Sequence, residues 1–301
     1  MSGKKPTGSF VTKIDLNLSE KLKTDLIDQG FEITQPPYTE FSGKKKGVSC
    51  TLYSSGKLMV QGKEKGDFIA FYLEPEILKQ LSYTHPETLV DLTPRIGIDE
   101  AGKGDFFGPL CIAGLYADEA QIKQLLDLGV RDSKRMNDTA IIALASEIRS
   151  HFPHSIVKIN PQKYNELYEK FHNLNKLLAW GHATAIEELV TNTGCKEVII
   201  DQFASEHVVE NALKRKHLEV SLTQRHYGEE DPIVAGASIL ARAAFVQGIE
   251  QLGKSVDLEL PKGASAQVIK AGKALVAKHG KEMLFKMAKL HFKTTDAVLH
   301  D

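Results

Sequence analysis

Cysteine is scarce in this sequence of 301 residues, occurring only as Cys50, Cys111 and Cys195. The three are far apart, so they form neither a disulfide framework nor the paired spacing of a structural zinc site. The sequence also lacks an uninterrupted apolar run of about 18 residues, which a bilayer-spanning helix requires. Its first residues lack the apolar stretch of a secretory signal. These absences predict a cytoplasmic protein with reduced thiols and no membrane partner.

The formal net charge of −1 shows no excess of either sign, but lysine is unevenly distributed. Between Phe41 and Gly66 a single acid, Glu64, is accompanied by six lysines: Lys44, Lys45, Lys46, Lys57, Lys63 and Lys65. A charged stretch of this kind is by itself typical of solvated surface. It also suits contact with the phosphate backbone of a nucleic acid.

The chain is longer than a usual single domain, which predicts two unequal domains. The stretch 82–94 contains two prolines and no clear periodicity, so we place the boundary there. We therefore expect an N-terminal domain over 1–85, a linker over 86–94 and a second domain over 95–301.

The N-terminal domain is predicted to be a small α+β unit. A helix is expected from Ser19 to Gly30, followed by a β-hairpin that turns at Ser54–Gly56. A further strand is expected over 68–73, with a short helix after Pro75. Alternation in the hairpin places one set of apolar residues on one face: Val48, Cys50, Leu52, Leu58 and Val60. The other face carries Tyr53, Lys57, Met59 and Gln61.

Beyond the linker, strand-like and helical stretches are mixed, which predicts an α/β fold with a central sheet. The predicted strands are 95–99, 110–116, 155–159, 197–200 and 218–222. The predicted helices are 119–128, 140–150, 163–171, 174–190, a segment from Glu206, 234–252 and 265–290. Trp180 and His182 lie within the fourth helix, where core packing is expected, with His182 a satisfied polar partner rather than a metal ligand.

The segment from Gly97 to Pro109 contains two glycines and a lysine at the spacing of a phosphate-binding P-loop. These are Gly97, Gly102 and Lys103. However, Gly104 stands where a P-loop has the Ser or Thr that binds magnesium. Asp99 and Glu100 would also lie inside the phosphate-binding loop and repel phosphate. This combination argues against a P-loop.

Asp99 and Glu100 are better interpreted as metal ligands, together with acids from later in the chain. Asp99 and Glu100 end one predicted strand, Asp201 ends another, and the cluster Glu229-Glu230-Asp231 precedes a helix. Carboxylate oxygens are the ligands that hard divalent cations prefer, and a pair of such cations can promote hydrolysis of a phosphodiester. Spacing alone does not show that these acids meet, since each by itself is more typical of a helix cap or a surface charge.

Several motifs, in this order along the chain, resemble the ribonuclease HIII family of type 2 ribonucleases H. They are Tyr53–Lys63, Gly97–Pro109, Arg131–Lys134, Val234–Arg242 and Leu290–Lys293. The resemblance covers almost the full chain. It implies a ribonuclease H-like mixed five-stranded sheet flanked by helices, preceded by a TATA-box-binding-protein-like substrate-binding domain.

The resemblance further implies hydrolysis of the RNA strand of RNA/DNA hybrids by an enzyme that uses two divalent metal ions, with Mg²⁺ as the default and Mn²⁺ as a substitute. Since no apolar surface stripe is left unassigned in the sequence, a monomer is the default expectation. The products would carry 5′-phosphate and 3′-hydroxyl ends. The implied metal-binding and catalytic acids are Asp99, Glu100, Asp201 and Glu229. Counting back from Ser238 places the family's last acid on Gly228, so Glu230 and Asp231 remain substitutes for Glu229.

Implied substrate contacts lie in both domains. The loop Gly102-Lys103-Gly104 would contact ribose 2′-hydroxyls, and Lys134 would bind a phosphate. Tyr53, Lys57 and Gln61 would contact the duplex backbone or minor groove. Lys103 occupies a position that is arginine in ribonucleases HII, which favours ribonuclease HIII. Two alternatives stay open: specificity like that of ribonuclease HII, including single ribonucleotides in DNA, and a non-catalytic nucleic-acid-binding relative.

Overall fold

The computed structural model describes residues 8–79, 83, 90–130, 136–201, 203–226 and 228–300, except for the side chains of Glu206 and Glu229. Contacts between Cα atoms divide the chain into two compact units, 1–91 and 92–301. The predicted linker over 86–94 lies partly outside the described residues.

The N-terminal unit contains a five-stranded antiparallel sheet in the order β1-β5-β4-β3-β2. Its strands are β1 (Phe10–Lys13), β2 (Glu32–Thr34), β3 (Thr39–Lys45), β4 (Val48–Tyr53) and β5 (Lys57–Gln61). Its helices are α1 (Ser19–Asp28) and α2 (Lys65–Phe68), the latter continuing as a π-helix (Ile69–Leu78). The unit is therefore α+β, as the sequence predicted.

The predicted hairpin is formed by β4 and β5, and its alternation has the expected effect. Cys50, Leu52, Leu58 and Val60 are completely buried, together with Leu22 and Leu26 of α1. Lys57 and Gln61 are exposed on the opposite face of the sheet. The helix α1 thus covers one face of the sheet, and Lys57 and Gln61 lie on the other.

The strand predicted over 68–73 is wrong, because this segment is helical and Pro75 lies inside the helix. The residues that enter the core are Phe68, Ile69, Leu73 and Ile77. Three of them recur at intervals of four positions, which is a helical spacing and not the alternation of a strand. A short apolar run such as this one cannot be assigned to helix or strand from its pattern alone.

The second unit is built on a mixed five-stranded sheet in the order β10-β9-β6-β7-β8. The strands are β6 (Arg95–Ala101), β7 (Leu110–Ala117), β8 (His154–Ile159), β9 (Glu197–Asp201) and β10 (Ser221–Arg225). The central strand β6 pairs antiparallel with β7 and parallel with β9. This is the sheet that the resemblance implied.

Nine helices of the described residues accompany this sheet. They are α3 (Glu119–Asp127), α4 (Asp138–His151), α5 (Pro161–Phe171), α6 (Leu174–Thr193), α7 (Glu206–Arg215), α8 (Pro232–Val256), α9 (Ala266–His279), α10 (Met283–Met287) and α11 (Thr294–Leu299). The single helix predicted over 265–290 is wrong, since Gly280 with φ +84° ends α9 before α10 begins. The last strand begins at Ser221, later than the predicted 218.

The helix α8 packs directly on the strand that carries the candidate acids. At Gly97 of β6, a Cβ atom would lie 2.7 Å from the backbone nitrogen of Val234. Helix and strand backbones therefore touch where only glycine fits. Within the described residues, α8 is the one helix long and apolar enough to cross a membrane, but 83% of its apolar window is buried inside the protein.

Candidate active site

Two of the predicted acids lie on neighbouring parallel strands, at the point where the pairing of β6 with β9 ends. In the register of β6 and β9, Ile98 pairs with Ile200, so Asp99 and Asp201 are the residues that follow on the two strands. Asp201 is the last residue of its strand and pairs in turn with Arg225 of β10. The fold thus places both carboxyl groups at one edge of the central sheet.

Asp99 is mostly buried and lies among other acids. Its Oδ1 accepts a hydrogen bond from the backbone N–H of Glu100 at 2.8 Å, and Ser238 of α8 hydrogen-bonds to its side chain. Burial, followed by the charges of Glu100 and Asp201, raises the pKa of Asp99 to about 7 against the opposing hydrogen bonds. A bound cation would relieve this crowding of negative charge.

Glu100 is held by two basic side chains. His182 Nε2 lies 3.1 Å from Oε2, and Lys103 Nζ lies 3.2 Å from Oε1. Burial acts to raise the pKa of Glu100, but the hydrogen bond and charge of His182, with the smaller effect of Lys103, bring it below its ordinary value. His182 is completely buried, and its Nδ1 has no hydrogen-bond partner within the described part of the chain. Glu100 is therefore an ionised and oriented carboxylate.

The acidic cluster begins in a single 3₁₀ turn over Gly228–Glu230. The backbone N–H of Gly228 donates to Asp201 Oδ1 at 2.9 Å, and a Cβ at this glycine would lie 2.8 Å from Asp201 Cα. The turn is therefore packed on Asp201. Its two acids follow at once, with Glu230 exposed and Glu229 described by its backbone only.

Asp231 uses both of its carboxylate oxygens in structural bonds. Oδ2 accepts from Arg95 Nη2 at 2.6 Å and from Arg95 Nε at 3.0 Å. Oδ1 accepts from the backbone N–H groups of Ile233 at 2.9 Å and Val234 at 3.4 Å, which caps α8. Both members of the ion pair are buried. The pair therefore ties the start of β6 to the start of α8.

The glycine loop follows Glu100 and is tightly packed at its base. Gly102 has φ +85°, and a Cβ there would lie 2.3 Å from the carbonyl oxygen of Pro109 and 2.7 Å from the ring of Phe245. At Gly104, by contrast, a Cβ would meet nothing within 4 Å. Between them, Lys103 is partly exposed while bonding Glu100. The loop is fixed by packing but open at its tip.

The remaining predicted substrate contacts belong to the N-terminal unit or fall outside the described residues. Lys134 belongs to 131–135, which lies outside the described residues. Tyr53, Lys57 and Gln61 belong to the N-terminal unit, where Gln61 and a group of lysines line a cavity of about 450 Å³. These lysines are Lys44, Lys45 and Lys46.

The donor set suits hard divalent cations, because Asp99, Glu100 and Asp201 offer carboxylate oxygens only. Among the described residues, no three His, Cys, Asp or Glu side chains are already grouped as a metal-binding cluster. Both carboxylate oxygens of Glu100 are hydrogen-bonded to basic side chains, Oε2 to His182 and Oε1 to Lys103. His182 was predictable as a core residue, but its contact with Glu100 was not, because a lone histidine on a buried helix face gives no signal of its partner.

Comparisons with known proteins cover both units of the chain. The family model described as Ribonuclease HII matches residues 96–295, and a domain of unknown function matches 9–84. The chain is 60% identical over 290 residues to Ribonuclease HIII of Protochlamydia amoebophila, covering 96% of both chains. It is 51% identical to Ribonuclease HIII of Chlamydia felis, covering 96% of this chain and 97% of that relative.

A solved structure extends the comparison to three dimensions. Bst-RNase HIII in complex with Mn²⁺ superposes with a TM-score of 0.68 at 30% identity, covering 97% of this chain and 98% of that one. The match spans both units, since it leaves almost no part of either chain uncovered. The chain therefore belongs to the ribonuclease HIII family of ribonucleases H.

Proposed function

We propose that this protein hydrolyses the RNA strand of RNA/DNA hybrids and uses two divalent cations, Mg²⁺ or Mn²⁺. The observation that carries the proposal is the parallel register of β6 and β9, which brings Asp99 and Asp201 to one edge of the sheet. Family membership and the Mn²⁺ held by Bst-RNase HIII support it.

The proposed metal ligands are Asp99, Glu100, Asp201 and Glu229, with Glu230 as the substitute for the last. Glu229 and Glu230 are favoured over Asp231 because the turn that carries them packs on Asp201, whereas both oxygens of Asp231 are engaged. When bound, a pair of cations would supply an activated water and neutralise charge at the departing 3′ oxygen. The products would carry a 5′-phosphate and a 3′-hydroxyl.

The protein's own groups would orient the metal ligands and select the substrate. His182 and Lys103 hold the carboxylate of Glu100, and Ser238 holds that of Asp99. The tip of the loop is open, since a Cβ at Gly104 would meet nothing within 4 Å. Contact with a 2′-hydroxyl distinguishes RNA from DNA, so we propose that this loop restricts cleavage to a ribonucleotide linkage.

The direct test is cleavage of an end-labelled RNA/DNA hybrid, alongside DNA/DNA and RNA/RNA duplexes of the same sequence, with Mg²⁺, Mn²⁺ or EDTA. We expect cleavage of the RNA strand of the hybrid alone, and only with a divalent cation. A DNA duplex with one embedded ribonucleotide should be cut poorly; efficient cutting would indicate specificity like that of ribonuclease HII. Binding without cleavage under every metal condition would support the non-catalytic alternative.

We also propose that the N-terminal unit supplies affinity for the duplex. Its exposed sheet face presents Lys57 and Gln61, and the adjoining cavity is lined by Lys44, Lys45 and Lys46. Lysines in such a groove suit a phosphate backbone, because each neutralised phosphate releases counterions.

Replacing both Lys57 and Gln61 with Ala should therefore raise KM for the hybrid by about tenfold and leave kcat unchanged. The slope of log KM against the logarithm of the salt concentration should become shallower by about one unit. Steady-state kinetics between 50 and about 200 mM salt measure both effects. Lys21→Ala is the matched control, because Lys21 is an exposed lysine of α1, which packs on the opposite sheet face. An unchanged KM in the double variant would contradict the role of this face.

We further propose that the protein acts as a monomer in the cytoplasm. The free thiols of Cys50, Cys111 and Cys195 suit a reducing compartment.

A further inference from the structure

Lys289 is a completely buried lysine whose ammonium group contacts three backbone carbonyls of the glycine loop. Its Nζ donates to the carbonyl oxygens of Gly108 at 2.7 Å, Asp105 at 2.8 Å and Phe107 at 3.4 Å. Residues 105–108 form the second half of the loop and lead from its tip at Gly104 to β7, which begins at Leu110. The side chain of Lys289, in the segment that follows α10, thus binds the second half of the loop, 105–108.

The contacts match the hydrogen-bonding capacity of a protonated lysine. An ammonium group has three N–H donors and no acceptor, and three carbonyl oxygens surround it here. Burial lowers the pKa of Lys289 to about 7, while the charges of Asp105 and Cys111 act to raise it. The Asp105 carboxylate itself accepts from the backbone N–H of Gly263, so loop carbonyls are the atoms that solvate the ammonium.

The backbone around Lys289 is also fixed to the loop. Its N–H donates to the carbonyl of Phe106 at 2.8 Å, and the N–H of Gly108 donates to the carbonyl of Met287 at 3.1 Å. The segment therefore pairs with the loop through its main chain as well as its side chain.

On its other side the same segment is fixed to α5 through Asn165. The amide of Asn165 donates to the carbonyls of Ala288 at 2.9 Å and Phe285 at 3.0 Å, and its oxygen accepts from the N–H of Leu290 at 3.0 Å. Lys289 thus projects from a backbone that is held on both sides. Lys289 can hold the loop because the contacts of Asn165 fix the backbone from which its side chain projects.

We propose that Lys289 is a positioning residue that holds the loop 102–108 in the shape that admits the hybrid, and so sets the enzyme's affinity for the scissile ribonucleotide. The inference rests on the proposed function. Lys289 itself is buried beneath the loop and does not touch the substrate. Its effect passes through the backbone from 105–108 to Gly102, Lys103 and Gly104, which follow Glu100 after one intervening residue, Ala101.

The first test compares Lys289→Met with Lys286→Met, a matched control at an exposed lysine of the same segment. Methionine keeps the length and removes the donors, leaving three buried carbonyls without a partner. At a temperature where circular dichroism shows both variants folded, we expect kcat/KM for the hybrid to fall about ten- to a hundredfold in Lys289→Met, mainly through KM. The control should match the parent.

The second test separates positioning from a loss of folded protein. Lys289→Ala leaves a cavity that ends at the three carbonyls, so added n-propylammonium should restore kcat/KM in a saturable manner. Tetramethylammonium at the same ionic strength has no N–H donor and should restore nothing. Equal effects of the two cations would overturn the inference, as would a Lys289→Met variant whose KM equals that of the parent while only its folded fraction falls.

Failure of the proposed function gives a different result. If the parent enzyme does not cleave the hybrid with either metal, the assignment of activity is wrong before any variant is compared. If the parent cleaves normally and Lys289→Met does so with the same KM, only the role of Lys289 is wrong.

Discussion

Replacing Asp99 with Asn is expected to lower kcat for hybrid cleavage by about 10³-fold, equivalent to about 4 kcal/mol of transition-state stabilisation. The substitution keeps the shape of the side chain but removes the charge at the point where the ends of β6 and β9 meet. Single-turnover cleavage at saturating Mg²⁺ or Mn²⁺ measures the effect. Asp257→Asn is the control, because its carboxylate is 98% exposed and its left-handed backbone is tolerated by Asn.

The same variant should be more stable than the parent when no divalent cation is present. Because the folded-state pKa of Asp99 is raised to about 7, the folded protein loses stability as pH rises from about 4 to about 7, and the cost persists above that range. Asn removes this cost, so thermal unfolding in EDTA at about pH 8 should occur at a higher Tm in the variant. Near-parental activity of Asp99→Asn, in contrast, would count against the whole metal site.

The second large effect is expected at the buried pair of Arg95 and Asp231. Replacing Asp231 with Ala removes the carboxylate from a buried guanidinium and the cap from α8, so the free energy of unfolding should fall by about 3 to 5 kcal/mol. Urea unfolding followed by circular dichroism measures this loss. Glu230→Gln is the neighbouring control, since Glu230 is exposed and its replacement should change stability by less than about 0.5 kcal/mol.

Activity of the same set of variants tests the assignment of the fourth acid. Glu229→Gln should lose most of its activity while retaining stability, whereas Asp231→Ala should lose stability and keep activity in whatever fraction remains folded. A stable but inactive Asp231 variant would reverse these roles. Glu230→Gln should be nearly normal in both measurements, and strong inactivation would make Glu230 the ligand in place of Glu229.

The hairpin of β4 and β5 was predictable from sequence because its alternation places five apolar side chains on one face and no competing pattern fits. The helix over 68–73 was not, because its apolar residues are contiguous and their direction is decided by the core they enter. The break after α9 was missed for a related reason. Gly280 is a local stop signal, but the residues on both sides favour helix, so the pattern continues through it.

In the site, Asp99 and Asp201 were recognisable as strand-end acids, and the resemblance indicated their roles. Sequence could not show that Asp231 binds Arg95, since the three adjacent acids look alike and only packing distinguishes the one that is buried. The contacts of His182 with Glu100 and of Lys289 with the glycine loop were equally hidden. Each contact joins elements that are distant along the chain, and the sequence pattern around a buried histidine or lysine does not indicate which residue it contacts.

The close contact between Gly97 and the start of α8 has a consequence for how this enzyme can be altered. Since a Cβ at Gly97 would lie 2.7 Å from the backbone nitrogen of Val234, any side chain at this position would push β6 and α8 apart two residues before Asp99. Engineering towards other substrates therefore has to act on the surrounding loops and keep glycine at position 97.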